Sequence, residues 1–200
     1  MKLILASSSE RRRELLTMCG YEYEIVPSGA DERTYETDPC EYVRSLAVRK
    51  AEEVASRLRT ERPGEGFAVL GADTVVTLDG IIIGKPKDKA DAVRILRLLS
   101  GRTHTVCTGV AVVTENGTES EVSTTRVTFE ELTEEEIRLY VASGEPMDKA
   151  GAYGIQGPFG MFVREVEGNY FTVIGLPLPT AYRLLGRAGV LPRDFMKDDK

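Results

Sequence analysis

FAVLGADTVVTLDGIIIGKP, residues 67–86, decides how this chain is read. Phe67 to Leu70 are apolar without a break, and Val75 and Val76 are β-branched, the composition of a strand buried on both faces. Asp79-Gly80 supplies the turn of a tight hairpin, and Ile81 to Ile83 return as a short second strand. Inside the first strand stand Gly71, Ala72 and Asp73. A carboxylate in such a run is costly to bury unless it is paired, ligates a metal or takes part in chemistry. The small neighbours Gly71 and Ala72 leave room for another molecule beside it. The alternative is an alternating strand with Asp73 turned to water.

Working outward, KLILAS at residues 2–7 reads as a short buried strand ended by hydroxyl residues. Ser9 stands as N-cap of a helix from Glu10 to Met18, with Gly20 beyond it. YEYEIVPSG alternates like a strand and stops at Pro27. Asp38 as cap and Pro39 at the first helical position open a long amphipathic helix that ends before RPGEG. A third helix follows GKP and closes at Gly101. THTVCTGVAVVTENGTESEVSTTRVTF reads as a hairpin turning at Asn116-Gly117, and Thr133 with Glu136 form a capping box. DKAGAYGIQG, residues 148–157, is a glycine-rich loop. MFVREVEGNYFTVIG is expected to be a third hairpin, and LPLPTAYRLLGRAG a closing helix. Hairpins interrupting a βα pattern predict an α/β chain with a mixed sheet. Residues 1–192 are expected to form one domain, and 193–200 a frayed polar tail.

The 200 residues, 42% of them hydrophobic, are enough for a sizeable core. No apolar run is long enough to span a bilayer, and Met1 to Leu5 is too short for a signal peptide, so a cytoplasmic protein away from membranes is expected. Cys19, Cys40 and Cys107 are odd in number and widely spaced, and suggest free thiols rather than a disulfide framework or a zinc site. The net charge of −6 argues against a general nucleic-acid binder, so any anion site must be local.

Four stretches carry chemistry. Ser7-Ser8-Ser9-Glu10-Arg11-Arg12 joins hydroxyl donors, free helix N–H groups and guanidinium forks, a combination suited to phosphate. Cations alone sit badly at a helix N-terminus, so a bound anion would explain them; a solvated arginine run is the plainer alternative. Asp73 is the second. Lys85, between Gly84 and Pro86, is held in a stiff turn. In the loop 148–157, glycines let backbone approach a ligand and Gln156 has both donors and an acceptor to read a base edge. Neither GxxxxGK[ST] nor GxGxxG is present. His104, the only histidine, lies in an alternating Thr-rich strand and reads as structural, which disfavours Ser-His or multi-His metal chemistry.

In this order, LASSSERRRELL, VLGADTVV, GKP, LSGRTHTVCTG, GEPMDKAGAYGIQG and GLPL resemble the Maf family of nucleoside triphosphate pyrophosphatases over nearly the whole chain. The resemblance implies a mixed twisted sheet with flanking helices, as in inosine triphosphatase, and two lobes around a deep cleft. It implies cleavage of a nucleotide between its α and β phosphates with a divalent metal, Mg²⁺ or Mn²⁺. Asp73 would be the catalytic proton acceptor. Arg11, Thr74 and Gln156 fall at positions of base specificity, and Ser7, Arg12, Lys50 and Lys85 at phosphate-handling positions. Glu32 would be an acidic partner or, with Asp73, a metal ligand. The loop 148–157 is similar to the branch acting on dTTP and UTP, with CTP or modified pyrimidine nucleotides as further candidates and a homodimer as the implied assembly. Two departures stand out: Glu10 replaces the family's usual proline, and Thr172 stands where an Asn is common. The competing readings are a nucleotide-sensing regulator of cell division without turnover, and a phosphohydrolase that releases orthophosphate.

Overall fold

Strand β1 (Lys2–Leu5) runs parallel to both its neighbours, β2 (Tyr23–Ile25) and β3 (Phe67–Leu78). This computed structural model describes residues 1–193. Of the expected tail, Arg193 donates its backbone N–H to the Gly20 carbonyl at 3.0 Å and pairs with Glu22, while residues 194–200 lie outside the described residues. The other strands are antiparallel to their partners: β4 (Ile81–Ile83), β5 (Thr103–Thr114), β6 (Gly117–Phe129) and β7 (Val163–Gly168). The sheet order is β2-β1-β3-β5-β6-β7, with β4 also on β3. This is the mixed α/β sheet expected.

The helices are α1 (Glu10–Met18), α2 (Pro39–Glu61), α3 (Lys89–Leu99), α4 (Glu134–Ala142), α5 (Tyr170–Ile174) and α6 (Leu178–Arg187). Alternation along β3 sends side chains to two faces. Ala68, Leu70 and Ala72 pack with Leu15 and Leu16 of α1 and with α6. Phe67 and Val69 pack with Ala47, Ala51, Val54 and Leu58 of α2. At the far end of the strand, Val76 and Leu78 enter a separate core with α3, α4 and Phe129. Two cores therefore flank the first half of this long strand, one on each face, and a third takes its far end.

Helix α2 lies hard against the sheet, and Gly71 and Gly109 make that possible. A Cβ on Gly71 would meet the Ala47 carbonyl at 2.4 Å, and one on Gly109 would meet the Val43 carbonyl at 2.4 Å. The room beside Asp73 expected for another molecule is thus taken at Gly71 by α2 itself. That close approach places Lys50 of α2 over Asp73.

Four local expectations shift. Tyr170–Ile174 is a helix, not the second strand of a hairpin, because Asn169 Oδ1 accepts the Phe171 N–H at 2.9 Å and caps it. The β5–β6 turn is Glu115-Asn116, since Thr114 pairs with Gly117. The glycine-rich stretch is not a plain loop: Glu145–Asp148 and Ala150–Ala152 are short 3-10 turns. Ser9 holds the cap position of α1, but its side chain makes no capping bond; Ser7 Oγ instead accepts the Ser9 N–H at 3.2 Å.

Candidate active site

One edge of β3 is covered by β5 across residues 69–77. The other edge is shared: β1 pairs with residues 67–70 and β4 with residues 76–78. Between them, residues 71–75 have no strand on that side. Into this gap opens a cavity of about 840 Å³, within the usual size range of small-molecule sites. It lies beyond the carboxyl end of β1, where open α/β sheets commonly bind ligands.

Asp73 and Thr74 point to opposite faces of β3, and both line the cavity because the edge between them is open. Asp73 Oδ1 accepts from Lys50 Nζ at 2.6 Å, and both side chains are only 13% exposed. Lys50 Nζ also reaches Glu32 Oε1 at 2.9 Å, although the Glu32 side chain is 64% exposed. An ammonium joining two carboxylates removes the cost of burying Asp73 unpaired.

Across the gap, Arg12 is fixed by three bonds. Nε donates to the Gly175 carbonyl at 2.8 Å, Nη1 to Ser7 Oγ at 3.1 Å, and Nη2 to Thr74 Oγ1 at 3.3 Å. Gly175 adopts φ +117° after α5, which lets the chain turn back and aim that carbonyl. Burial lowers the guanidinium pKa from its usual value, Asp73 and Glu32 pull the other way, and Arg11 adds to the lowering. Two of the five N–H groups of Arg12 remain for a ligand. The first-turn N–H groups of α1 also lack intrahelical partners.

Arg11 turns toward the glycine-rich segment, where its Nη1 donates to Asp148 Oδ2 at 2.9 Å. Lys149 Nζ donates to Asp148 Oδ1 at 2.7 Å. Desolvation alone would raise the Asp148 pKa; the bonds from Lys149 and Arg11 outweigh it and hold the carboxyl down at about 2. The Gly151 N–H donates to the Gly84 carbonyl at 3.1 Å, so this segment is tied to the turn carrying Lys85. Lys85 and Gln156 line the cavity and are exposed, with no hydrogen bond or ion pair among the described residues.

All nine residues singled out in the sequence therefore border one cavity: Ser7, Arg11, Arg12, Glu32, Lys50, Asp73, Thr74, Lys85 and Gln156. Asp148 as the partner of Arg11, the Gly175 carbonyl and buried Thr108 were not foreseen; Asp148 lay in DKAGAYGIQG, flagged for its chemistry, while Thr108 and Gly175 lay in LSGRTHTVCTG and GLPL, quoted for the resemblance alone. Thr172 does not reach the cavity. It is fully buried, with Oγ1 2.7 Å from Ser123 Oγ. His104 is structural, its Nε2 2.9 Å from Tyr153 Oη and its ring edge-on to Phe129. The three cysteines are free.

A profile described as Maf-like protein matches residues 2–188. The chain belongs to the Maf family. Among curated relatives, a dTTP/UTP pyrophosphatase of Bacillus pumilus is 46% identical over 96% of this chain and 98% of its own. One of Geobacillus is 49% identical over 94% of this chain and 98% of its own. Among solved structures, the Staphylococcus aureus Ham1 protein covers 64% of this chain and 72% of that one, with a TM-score of 0.45 and 12% identity.

A divalent cation in this Maf site would find oxygen donors only, the carboxylates of Asp73 and Glu32. Among the described residues, no group of three or more His, Cys, Asp or Glu side chains forms a metal cage. Two carboxylates joined by one ammonium nevertheless fit Mg²⁺, which typically takes one or two carboxylates and completes its shell with water and substrate phosphates. No helix among the described residues is long and apolar enough to cross a membrane.

Proposed function

We propose that this protein hydrolyses dTTP and UTP to the monophosphate and pyrophosphate, as its curated relatives are named for doing. One observation carries the reading: the gap in β3 joins a carboxylate, Asp73, to a cation-lined wall and to a segment carrying Gln156. A mere binder of polyanions gains nothing from a carboxylate in the phosphate path.

In this reading the triphosphate lies between Arg12, Ser7 and the start of α1 on one side and Lys85 on the other. These donors offset its negative charge, and Arg12, fixed by its three bonds, is set before the reaction, so that wall needs no reorganisation as charge moves to the leaving group. Arg11, Thr74 and Gln156 meet the nucleoside. Asp73 Oδ1 is engaged by Lys50, which leaves Oδ2 to orient a water and accept its proton. The water oxygen bonds to the α phosphorus, the bond to the α–β bridging oxygen breaks, and pyrophosphate leaves with that electron pair. Mg²⁺ or Mn²⁺ held by Asp73 and Glu32 would supply further phosphate neutralisation and acidify water. Lys50, which joins the two carboxylates here, borders the same cavity and would add its charge to the phosphate-handling set.

Residues 1–192 act as one catalytic unit in this account, working on the free nucleotide pool of the cytoplasm. A homodimer is proposed on resemblance alone, and sedimentation velocity would reject it by returning a single 22 kDa species.

The activity is tested by anion-exchange analysis of products from dTTP, UTP, CTP, ATP, GTP and 7-methyl-GTP with Mg²⁺ or Mn²⁺. UMP and dTMP with pyrophosphate are expected. Orthophosphate as first product would reject α–β cleavage. Binding without turnover would leave a nucleotide-sensing regulator.

A further inference from the structure

Beneath the cavity runs a chain of hydroxyls whose direction is fixed by chemistry. Thr108, on β5, is fully buried and has one hydroxyl proton to give. Its Oγ1 donates to the Thr172 carbonyl at 2.8 Å, and a carbonyl can only accept. Thr108 Oγ1 also lies 2.9 Å from Thr74 Oγ1, its cross-strand neighbour. With the Thr108 proton committed, Thr74 must be the donor in that pair. Arg12 Nη2, which can only donate, lies 3.3 Å from Thr74 Oγ1 on another side. Thr74 has therefore given away its one proton and accepted one from Arg12. What it can still offer the cavity is a lone pair. The acceptor end of the chain is anchored as well, because Ser123 Oγ holds Thr172 Oγ1 at 2.7 Å.

We propose that Thr108 is a positioning residue for substrate choice: it locks Thr74 as a hydrogen-bond acceptor, so the substrate atom met there is a donor. This rests on the cavity being the pyrimidine nucleotide site. The donor that fits is the imino N3–H of uracil or thymine. Cytosine has a bare N3 at that position and would face Thr74 lone pair to lone pair, an unpaired contact of the kind that lets a polar site reject a near-isostere. A sugar hydroxyl is the other donor on such a nucleotide.

The test compares kcat/KM for UTP and CTP in the wild type, Thr108→Val and Thr108→Ser. It adds 3-methyl-UTP and the 2′- and 3′-deoxy analogues of UTP as wild-type substrates. Valine keeps the shape of threonine but frees the Thr74 proton to turn toward the cavity. The UTP:CTP preference should fall by about tenfold in Thr108→Val, the size of one lost polar discrimination, with CTP turnover rising in absolute terms. Thr108→Ser should keep the wild-type preference. 3-Methyl-UTP should be a poor substrate and the deoxy analogues near-normal ones.

A parallel drop for both nucleotides in Thr108→Val would make Thr108 merely structural and overturn the proposal. So would a wild type with no preference for UTP over CTP. Sensitivity to a deoxy analogue with indifference to 3-methyl-UTP would move the donor to the sugar and overturn the base assignment. If Thr108→Val does not fold, the wild-type analogue series decides alone. Undiminished UTP turnover in Asp73→Asn is a different result, since it rejects the site rather than the role of Thr108.

Discussion

His104 should make the stability of this protein fall as the pH drops from 6.5 toward about 4. The ring is 2% exposed, Nε2 is 2.9 Å from Tyr153 Oη, and Nδ1 is buried without a partner. A charged ring there would bury both a cation and an orphan N–H, and burial pushes its pKa down from 6.5 to about 4. Because the folded value lies below the unfolded one, the unfolded chain binds the extra proton between those limits. The neutral ring's contribution is then complete above pH 6.5 and lost as pH falls toward 4. At 1.36 kcal/mol per pH unit the full effect is about 3 kcal/mol, of which about 2 kcal/mol is gone by pH 5. For a chain of this size that amounts to a Tm roughly 4–8 °C lower at pH 5 than at pH 7. Glu24 and Asp148, both held down at about 2, do not contribute until lower pH. Thermal unfolding followed by circular dichroism at pH 5, 6 and 7 measures the slope, and His104→Gln, which cannot titrate, should flatten it. An equal slope in wild type and variant would refute the assignment.

Asp148→Asn weakens the hold on Arg11 and Lys149 and should raise KM for UTP several-fold with kcat within about twofold, since groups positioned only to bind act on both ground and transition states. Steady-state kinetics reads this, and an equal fall in kcat would place Asp148 in the chemistry instead. Gly71→Ala drives a methyl into the Ala47 carbonyl and should cost about 1–3 kcal/mol, read as a shift in urea midpoint. Asn169→Ala removes the cap of α5 and should cost about 1 kcal/mol in the same assay.

Where the sequence spoke locally, it spoke plainly. Asp38 caps α2 by accepting from the N–H groups of Cys40 and Glu41, and Thr133 and Glu136 form both bonds of the capping box. Asp79 and Gly80 take φ of 52° and 78°, as their hairpin requires. Tyr170–Ile174 misled because its aromatic and β-branched residues suit a strand, whereas one Asn side chain decides for a helix. Gly71 misled for another reason: a missing side chain marks a close approach without saying whose. The pairing of Lys50 with Asp73 and the hydroxyl chain through Thr108 join residues far apart in sequence. Their partners exist only once β3, β5 and α2 are in register.

The central claim is that Asp73 performs the chemistry in a cavity that binds nucleotide without it. The most direct measurement is UTP turnover and UTP binding by Asp73→Asn, a near-isostere that cannot take a proton as the carboxylate does. The account predicts a loss of kcat by at least about a hundredfold, the lower range for a removed general base, with UTP still bound in calorimetry. Turnover within a few-fold of wild type would contradict it.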